Sequence, residues 1–396
     1  MILNSVKTNN INRYIRLKYL SCGDSIFILF ILILSILLSI YLSAKLNILF
    51  EVVTTTAFFC NFAGGETIAT KKKKRMIKDI LPDFVLGLSP MDEITTPEYR
   101  EICKEYGADV VFTEFVSTDA LIRDVEKSYK KITFSEKQRP LAIQIFGNDE
   151  KTLVNAAQRV EELKPDWIDI NWGCPMKRIA GKGSGSGILQ DIPKMLRLTK
   201  AVVDSVKLPV SVKTRLGYDE KNKPIVELAE MLQDVGIQLI SIHGRTKTQM
   251  YRGSADWTLI AKTKENPRLK IPVFGNGDID SVEKFLEYKK RYNLDGILVG
   301  RYAIGNPYFF LQCKQALKNE KIYQPTLQDR VEICKKHILL SIENNGEERT
   351  CINMRKFYPR YFLGVRNFKP FKLQLLASKT KEEVFDILSQ VSKLEG

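Results

Sequence analysis

Three features of the sequence predict an α/β fold, a (β/α)8 TIM barrel followed by a small C-terminal α-helical domain. From residue 80 onward, short apolar runs rich in β-branched residues alternate with amphipathic stretches of helical period. Eight such runs occur, spaced by roughly 25 to 40 residues, which is the rhythm of a strand followed by a helix. Beyond residue 320 the strand signals stop and the pattern turns helical. A doubly wound open sheet is the alternative. It is weakened because no G-x-G-x-x-G follows the first strand and no Walker A sequence is present.

In chain order, strands are expected at 84–88, 110–113, 141–145, 167–170, 210–214, 239–242, 273–274 and 296–299. Amphipathic helices are expected at 97–106, 151–163, 192–206, 224–235 and 281–292. In a barrel of this kind the C-terminal strand ends form one rim, where active sites lie. Every strand here runs out into polar residues. The first ends at Pro90, Met91 and Asp92, the second at Thr113-Glu114, and the third at Gln144. The fourth ends at Asn171 and Cys174, the fifth at Lys213 and Arg215, and the sixth at His243. The last two end at Asn276-Gly277-Asp278 and Gly300-Arg301. Singly each has a plain account: a solvated strand end, a satisfied core histidine, a turn. Together on one rim they point to a site.

The stretch 167–187 is central. It starts as an apolar strand and breaks at Gly173, and Pro175 puts Cys174 on a turn. Glycines at 181, 183, 185 and 187 keep the next loop free of bulk, and Lys177, Arg178 and Lys182 make it basic. A thiol among cations suits reactive chemistry beside a polyanion. A buried structural cysteine followed by a flexible surface loop is the plain reading. At the last two strand ends, Gly275, Gly277, Gly300 and Arg301 suit an anion, as loops after strands 7 and 8 do in such barrels. A phosphorylated cofactor is expected there, with its reactive part near Gln144, Lys213 and His243.

Past residue 320, segment 354–372 interleaves Arg355, Lys356, Arg360 and Arg366 with aromatic residues. Cations for phosphates and rings for bases would suit loop or single-stranded RNA. The alternative is a helical bundle with its rings inside and its cations outside.

Composition narrows the classes. The 396-residue chain is 44% hydrophobic and carries a formal charge of +15, which favours a polyanionic partner. Seven scattered cysteines without a CxxC pair argue for a reducing compartment and against a zinc ribbon. With only His243 and His337, no metal site is expected. Residues 1–75 differ from the rest. The run 26–44 has 19 uncharged residues behind Lys7, Arg13, Arg16 and Lys18, as in a signal anchor. The competing and preferred expectation is a start assigned too far upstream, with Met76 opening the barrel. The domains are then an atypical extension at 1–75, a barrel at 76–320 and a helical domain at 321–396. The expected location is the cytoplasm, with a membrane anchor through 26–44 as the alternative.

Several motifs, in order, resemble those of the bacterial tRNA-dihydrouridine synthases, nearest their B type. They are SPM at 89–91, QIFG at 144–147, DINWGCP at 169–175, GKGSGSG at 181–187 and VKTRLG at 212–217. HGRTKTQMYRGSADW at 243–257, FGNGDI at 274–279 and VGRYAIGNP at 299–307 complete the set. Two places depart from the family pattern, Pro90-Met-Asp-Glu93 and Thr95-Thr96. The resemblance implies an FMN-bearing barrel, NADPH (or NADH) as reductant, and tRNA, not DNA, as partner of a monomer. It implies that Cys174 is the proton donor and that Asn171 helps place the uracil. It further implies FMN contacts from Pro90, Met91, Asp92, Gln144, Lys213, His243, Asn276, Gly277, Asp278, Gly300 and Arg301. Lys177, Arg178, Lys182, Arg355, Lys356, Arg360 and Arg366 are the expected tRNA contacts.

Reducing the uracil C5=C6 bond needs a hydride at C6 and a proton at C5 from different donors. Cys174 can give a proton only as a thiol, yet neighbouring cations are expected to lower its pKa. Two rivals remain open at the level of sequence. One is a small-molecule flavin reductase of the dihydroorotate type. The other is a non-catalytic RNA-binding scaffold.

Overall fold

The eight expected runs all form strands, and the sheet they make closes on itself. A computed structural model describes residues 76–394. Its parallel strands are β1 (Val85–Leu88), β2 (Val110–Phe112), β3 (Val116–Ser117), β4 (Leu141–Phe146) and β5 (Trp167–Asn171). They continue as β6 (Val210–Arg215), β7 (Ile240–His243), β8 (Val273–Asn276) and β9 (Gly296–Val299). β1 pairs with β2, and β3 to β9 pair in succession; pairing of β1 with β9 and of β2 with β4 closes the ring. The fold is a closed eight-stranded parallel barrel with helices between strands, followed by a helical C-terminal region.

The ninth strand segment, β3, was not expected. Val111 and Phe112 stand opposite Leu141 and Ala142, whereas Val116 and Ser117 stand opposite Ile145 and Phe146. Three residues, 113–115, therefore face two on β4. This is a bulge in one barrel strand, placed at the rim, and it re-aims Glu114 and Phe115.

Several strands run further than expected, through Asn171, Arg215, His243 and Asn276. Inward-facing residues alternate along a barrel strand, and each strand shows a graded sequence on that face. On β5 it reads Trp167, Asp169, Asn171; on β6 it reads Ser211, Lys213, Arg215. At the bottom, Val85, Phe112, Ala142, Trp167, Leu239, Phe274 and Leu298 form an apolar plug with Ile77. The amide of Ile77 donates to Gln238 Oε1 at 3.0 Å, which seats the 3-10 turn Ile77–Ile80 under the barrel. Polar side chains lie above the plug, and the rim lies above them. A second apolar cluster fills the space between strands and helices.

Helix starts carry side-chain caps. Asp149, Asp191 and Ser281 accept from the amides of Thr152, Lys194 and Lys284. The C-terminal region opens on Leu327–Asn345, whose start is fixed by a reciprocal Thr326–Asp329 capping box. It docks on the barrel helix Pro97–Glu105. Glu98 accepts from Asn344 and Asn345 at 2.8 and 3.1 Å, and Tyr99 packs on His337 with ring centroids 5.1 Å apart.

Here one expectation needs correcting. Phe357, Tyr358, Tyr361, Phe362 and Phe368 are buried, so these rings are core and cannot stack on bases. Arg360 and Arg366 stay exposed. The bundle with rings inside and cations outside is what forms. Among the described residues, no helix is long and apolar enough to cross a membrane. The reading of 26–44 as an anchor lies outside the described residues.

Candidate active site

A cavity of about 940 Å3 opens at the C-terminal mouth of the barrel. Its walls include Cys174, Lys213 and His243 from the rim, and Arg360 and Leu363 from the C-terminal region.

Cys174 is 8% exposed. Asn171 Oδ1 accepts from the amides of Gly173 and Cys174 at 2.9 and 2.8 Å. Asn171 Nδ2 donates to Gln144 Oε1 at 2.8 Å, and Gln144 Nε2 donates to Asp169. Ser211 Oγ also donates to Asp169 and accepts from Trp167 Nε1 at 3.0 Å. A buried polar chain thus runs from the barrel centre to the backbone of Cys174. Burial pushes the Asp169 carboxyl up to about 6, against the pull of Gln144, Ser211 and Lys213.

The loop after Cys174 is not the open, flexible segment expected from its glycines. Ser186 donates to the Cys174 carbonyl from its amide at 3.0 Å and from its hydroxyl at 2.9 Å. A Cβ on Gly185, whose φ is +51°, would meet that carbonyl at 2.7 Å. One on Gly187 would meet the Ala180 carbonyl at 2.1 Å. These glycines allow close packing and clasp the thiol in place. The expected lowering of the Cys174 pKa is also corrected. Burial raises it, and the opposing pull of Arg215 and Arg178 is the weaker effect. The group stays a thiol at neutral pH.

Across the mouth, Lys213 Nζ donates to Asn276 Oδ1 at 3.1 Å. Burial, then Arg215, pushes this amine down to about 8. Burial and the cations Arg215, Lys213, Arg245 and Arg301 hold His243 well below the ordinary imidazole range, so it is neutral. Its Nδ1 is buried and has no hydrogen-bond partner among the described residues. His243 lines the cavity, and an unpartnered polar nitrogen there is the kind of group a bound polar ligand would satisfy. On the same wall Arg301 lies with Gly277 and Gly300, a cation beside backbone without side chains, and these residues fit a flavin phosphate.

Not every expected site residue meets the cavity. Pro90, Met91, Asn276, Gly277, Gly300 and Arg301 line it. Gln144 is fully buried beneath it and acts through Asn171. Asp92 lies at the wall, but its carboxylate pairs with Lys131 and with Arg178 at 2.7 Å. It ties the β1 loop to the turn Lys177–Ala180. Asp278 lies there too, bound by Arg245 at 2.6 and 2.9 Å, by the Ala255 amide at 2.8 Å and by Arg301 at 2.9 Å. Burial would raise that carboxyl; the bonds from Arg245 and Ala255 outweigh it and hold it low. Gly275 packs against Trp257, whose ring a Cβ would meet at 2.2 Å, so it serves the core and not an anion. Among the basic residues, Lys177, Arg178 and Lys182 are exposed, and of these Arg178 alone lines this cavity. Lys356 pairs with Glu93 at 3.3 Å, Arg355 is half-buried, and Arg366 lies off the cavity wall.

Two further wall residues stand out: Arg215, named at its strand end but given no contact, and Tyr251, which was not expected. Arg215 donates to the carbonyls of Gly173, Thr246 and Met250 at 2.8 to 2.9 Å. Tyr251 is 51% exposed, with the guanidiniums of Arg301 and Arg215 5.1 and 5.8 Å from its ring centre. Arg215 is legible at the rim from its place in the sequence, and alternation along β6 puts it on the same face as Lys213. Tyr251 sits on a loop and gives no such signal.

A closed (β/α)8 barrel with a buried thiol, a neutral imidazole and a depressed lysine at its mouth defines a barrel enzyme with its site at the rim. Comparison with known proteins gives the family. Residues 87–394 match the dihydrouridine synthase (Dus) family model, and the chain belongs to that family. It is an oxidoreductase. It is 35% identical over 287 residues to a probable tRNA-dihydrouridine synthase of Rickettsia conorii, covering 72% of this chain and 86% of that one. It is 34% identical over 310 residues to tRNA-dihydrouridine synthase B of Pasteurella multocida, covering 78% and 91%. Among solved structures, histamine dehydrogenase from Rhizobium sp. 4-9 aligns with a TM-score of 0.45 at 15% identity, over 65% of this chain and 48% of that one. That likeness adds nothing to the assignment.

Proposed function

We propose that this protein reduces the C5=C6 bond of uridines in tRNA, with FMN in the large cavity and NADPH or NADH as reductant. The observation that carries the reading is the buried thiol of Cys174. It is held in the cavity wall by Asn171 and Ser186, opposite the neutral His243 and the cations Lys213 and Arg301. When bound, the flavin would supply the hydride to C6. Cys174 then gives its proton to C5, and its clasped backbone keeps the thiol in position. Asn171 Oδ1 and Nδ2 are already engaged by Cys174 and Gln144, so Asn171 acts mainly by fixing the thiol. Arg301, steadied by Asp278, is the natural phosphate ligand, with Gly277 and Gly300 beside it. His243 Nδ1 and Lys213 Nζ are left for the polar ring edge. Pro90 and Met91 close the opposite wall. Asp92, Gln144 and Asp278 position these groups. Lys177, Arg178, Lys182, Arg360 and Arg366 are assigned to tRNA phosphates, with Arg355 and Lys356 behind them. The protein is assigned to the cytoplasm as a monomer.

The test is dihydrouridine formation on unmodified tRNA by the flavin-loaded protein. Cys174→Ala should retain flavin and its reduction by NADPH, yet form dihydrouridine at least about 100-fold more slowly. A variant with the parental modification rate would remove Cys174 as the acid.

A further inference from the structure

Beside the reaction cavity lies a second one of about 470 Å3. The two share Asp92, Phe115 and Arg178, so Phe115 stands between them. Its ring meets that of Phe146 edge-on, with centroids 5.6 Å apart. Both rings are half-buried, unlike the buried Phe357, Tyr358, Tyr361, Phe362 and Phe368 of the C-terminal region. The rim bulge at 113–115 is what turns Phe115 to this position. The opposite wall comes from the turn after Cys174. Asn148 Nδ2 donates to the Lys182 carbonyl and ties that turn to the loop after β4.

The charges of this cavity are uneven. Lys131 is engaged by Asp92 and Glu114, and Arg178 by Asp92. Lys127 and Lys182 are exposed and form no ion pair among the described residues. Two carboxylates share the wall, Asp92, which is paired, and Asp119; against Lys127, Lys131, Arg178 and Lys182 they leave it net positive. Its volume lies in the ~300–1,000 Å3 range of small-ligand sites.

We propose that this second cavity takes the nucleotide adjoining the target uridine, its phosphate on Lys127 and Lys182 and its base against Phe115 and Phe146. The proposal rests on the tRNA reading above. A base drawn into the reaction cavity leaves its neighbour with an uncovered face. An aromatic edge at the border replaces the lost stacking and tolerates any base. The chain is continuous between the two nucleotides, and the two cavities are contiguous across a single ring. A cavity that was only a surface hollow would not need two unpaired lysines beside two accessible rings.

The test uses the flavin-loaded protein and a tRNA carrying 4-thiouridine next to the modified position. Irradiation should crosslink it to peptides holding Phe115 or Phe146. Lys127→Glu, at an exposed position, should weaken tRNA binding about tenfold and make its log–log salt slope shallower by about one. Its KM for NADPH in flavin reduction should match the parent's. Crosslinks confined to the C-terminal helices would overturn the proposal. So would a raised KM for NADPH with parental tRNA affinity, which would make this the reductant's pocket. A parent protein that forms no dihydrouridine on any tRNA would sink the underlying reading, and the subsite with it.

Discussion

The two basic stretches of the molecule, 177–182 at the barrel mouth and 355–372 in the C-terminal helices, hold their neighbours in opposite ways. In the first, the cations lie over a clasped backbone and a thiol, and the nearby rings Phe115 and Phe146 stay accessible. In the second, the rings turn inward and knit the helices to Tyr99 of the barrel, with Phe357 5.2 Å from it. Of its cations, Arg360, Arg366 and Lys369 are exposed. The first stretch can therefore combine charge with base contact, while the second, with five of its six rings buried and Phe371 half-buried against the core, offers mainly charge. A surface of cations without rings binds a backbone and reads no base. On this reading, contact specificity belongs to the barrel mouth, and the C-terminal region supplies grip.

The sharpest way to break this contrast is to treat a C-terminal ring as a base contact. Phe357→Ala should instead cost about 3–5 kcal/mol of stability, as a buried ring removed from a core. Thermal unfolding checks it; a parental midpoint with weakened RNA binding would reverse the assignment. Next come the glycines. Gly187→Ala drives a Cβ against the Ala180 carbonyl and should cost about 1–3 kcal/mol, loosening the thiol clasp. Gly364→Ala, with φ at +82° but nothing within 4 Å, should cost only about 1 kcal/mol of backbone strain. Equal shifts in the two midpoints would mean that the clasp is not tightly packed. Smaller still in stability terms, Arg360→Ala with Arg366→Ala should leave the midpoint within about 0.5 kcal/mol per site. The pair should flatten the salt dependence of tRNA binding by about two in slope.

The same contrast explains what could be read from sequence. The barrel was legible because its outer strand faces pack on helices and follow apolar rules. Strand ends were cut short at 167–170, 210–214 and 273–274 because Asn171, Arg215 and Asn276 face a polar barrel interior, where hydrophobicity fails as a guide. The bulge at 113–115 is a one-residue offset in pairing and leaves no trace in composition. Asp169 stands inside an apolar run, and only its partners Gln144 and Ser211, from other strands, give it meaning. The glycines at 181–187 were visible, but whether glycine makes a loop open or tight depends on what lies opposite. The rings of 354–372 posed the same difficulty. Cations near a ring suit RNA or a bundle equally well until burial is known. Cys174 was found by its turn, whereas the sign of its pKa shift required the depth at which it sits.

That sign gives the last and smallest effect. Burial raises the Cys174 pKa first, and Arg215 and Arg178 oppose it. The thiol is the proton-donating form, so modification activity should hold through neutral pH. It should fall only as pH rises through the raised pKa. The barrel-mouth cations, by contrast, should act on this limb only weakly. Arg178 is 69% exposed in its side chain and already paired with Asp92, so water screens most of its influence. Arg178→Ala removes a charge that favours the thiolate, and should move the limb slightly to higher pH. The cleanest measurement is iodoacetamide alkylation of Cys174 in the RNA-free protein, followed by peptide mass across a pH series. A limb that moves to lower pH would mean that Arg178 acts by holding the loop closed over the thiol. Its loss would then hydrate the thiol and remove the burial that keeps it protonated.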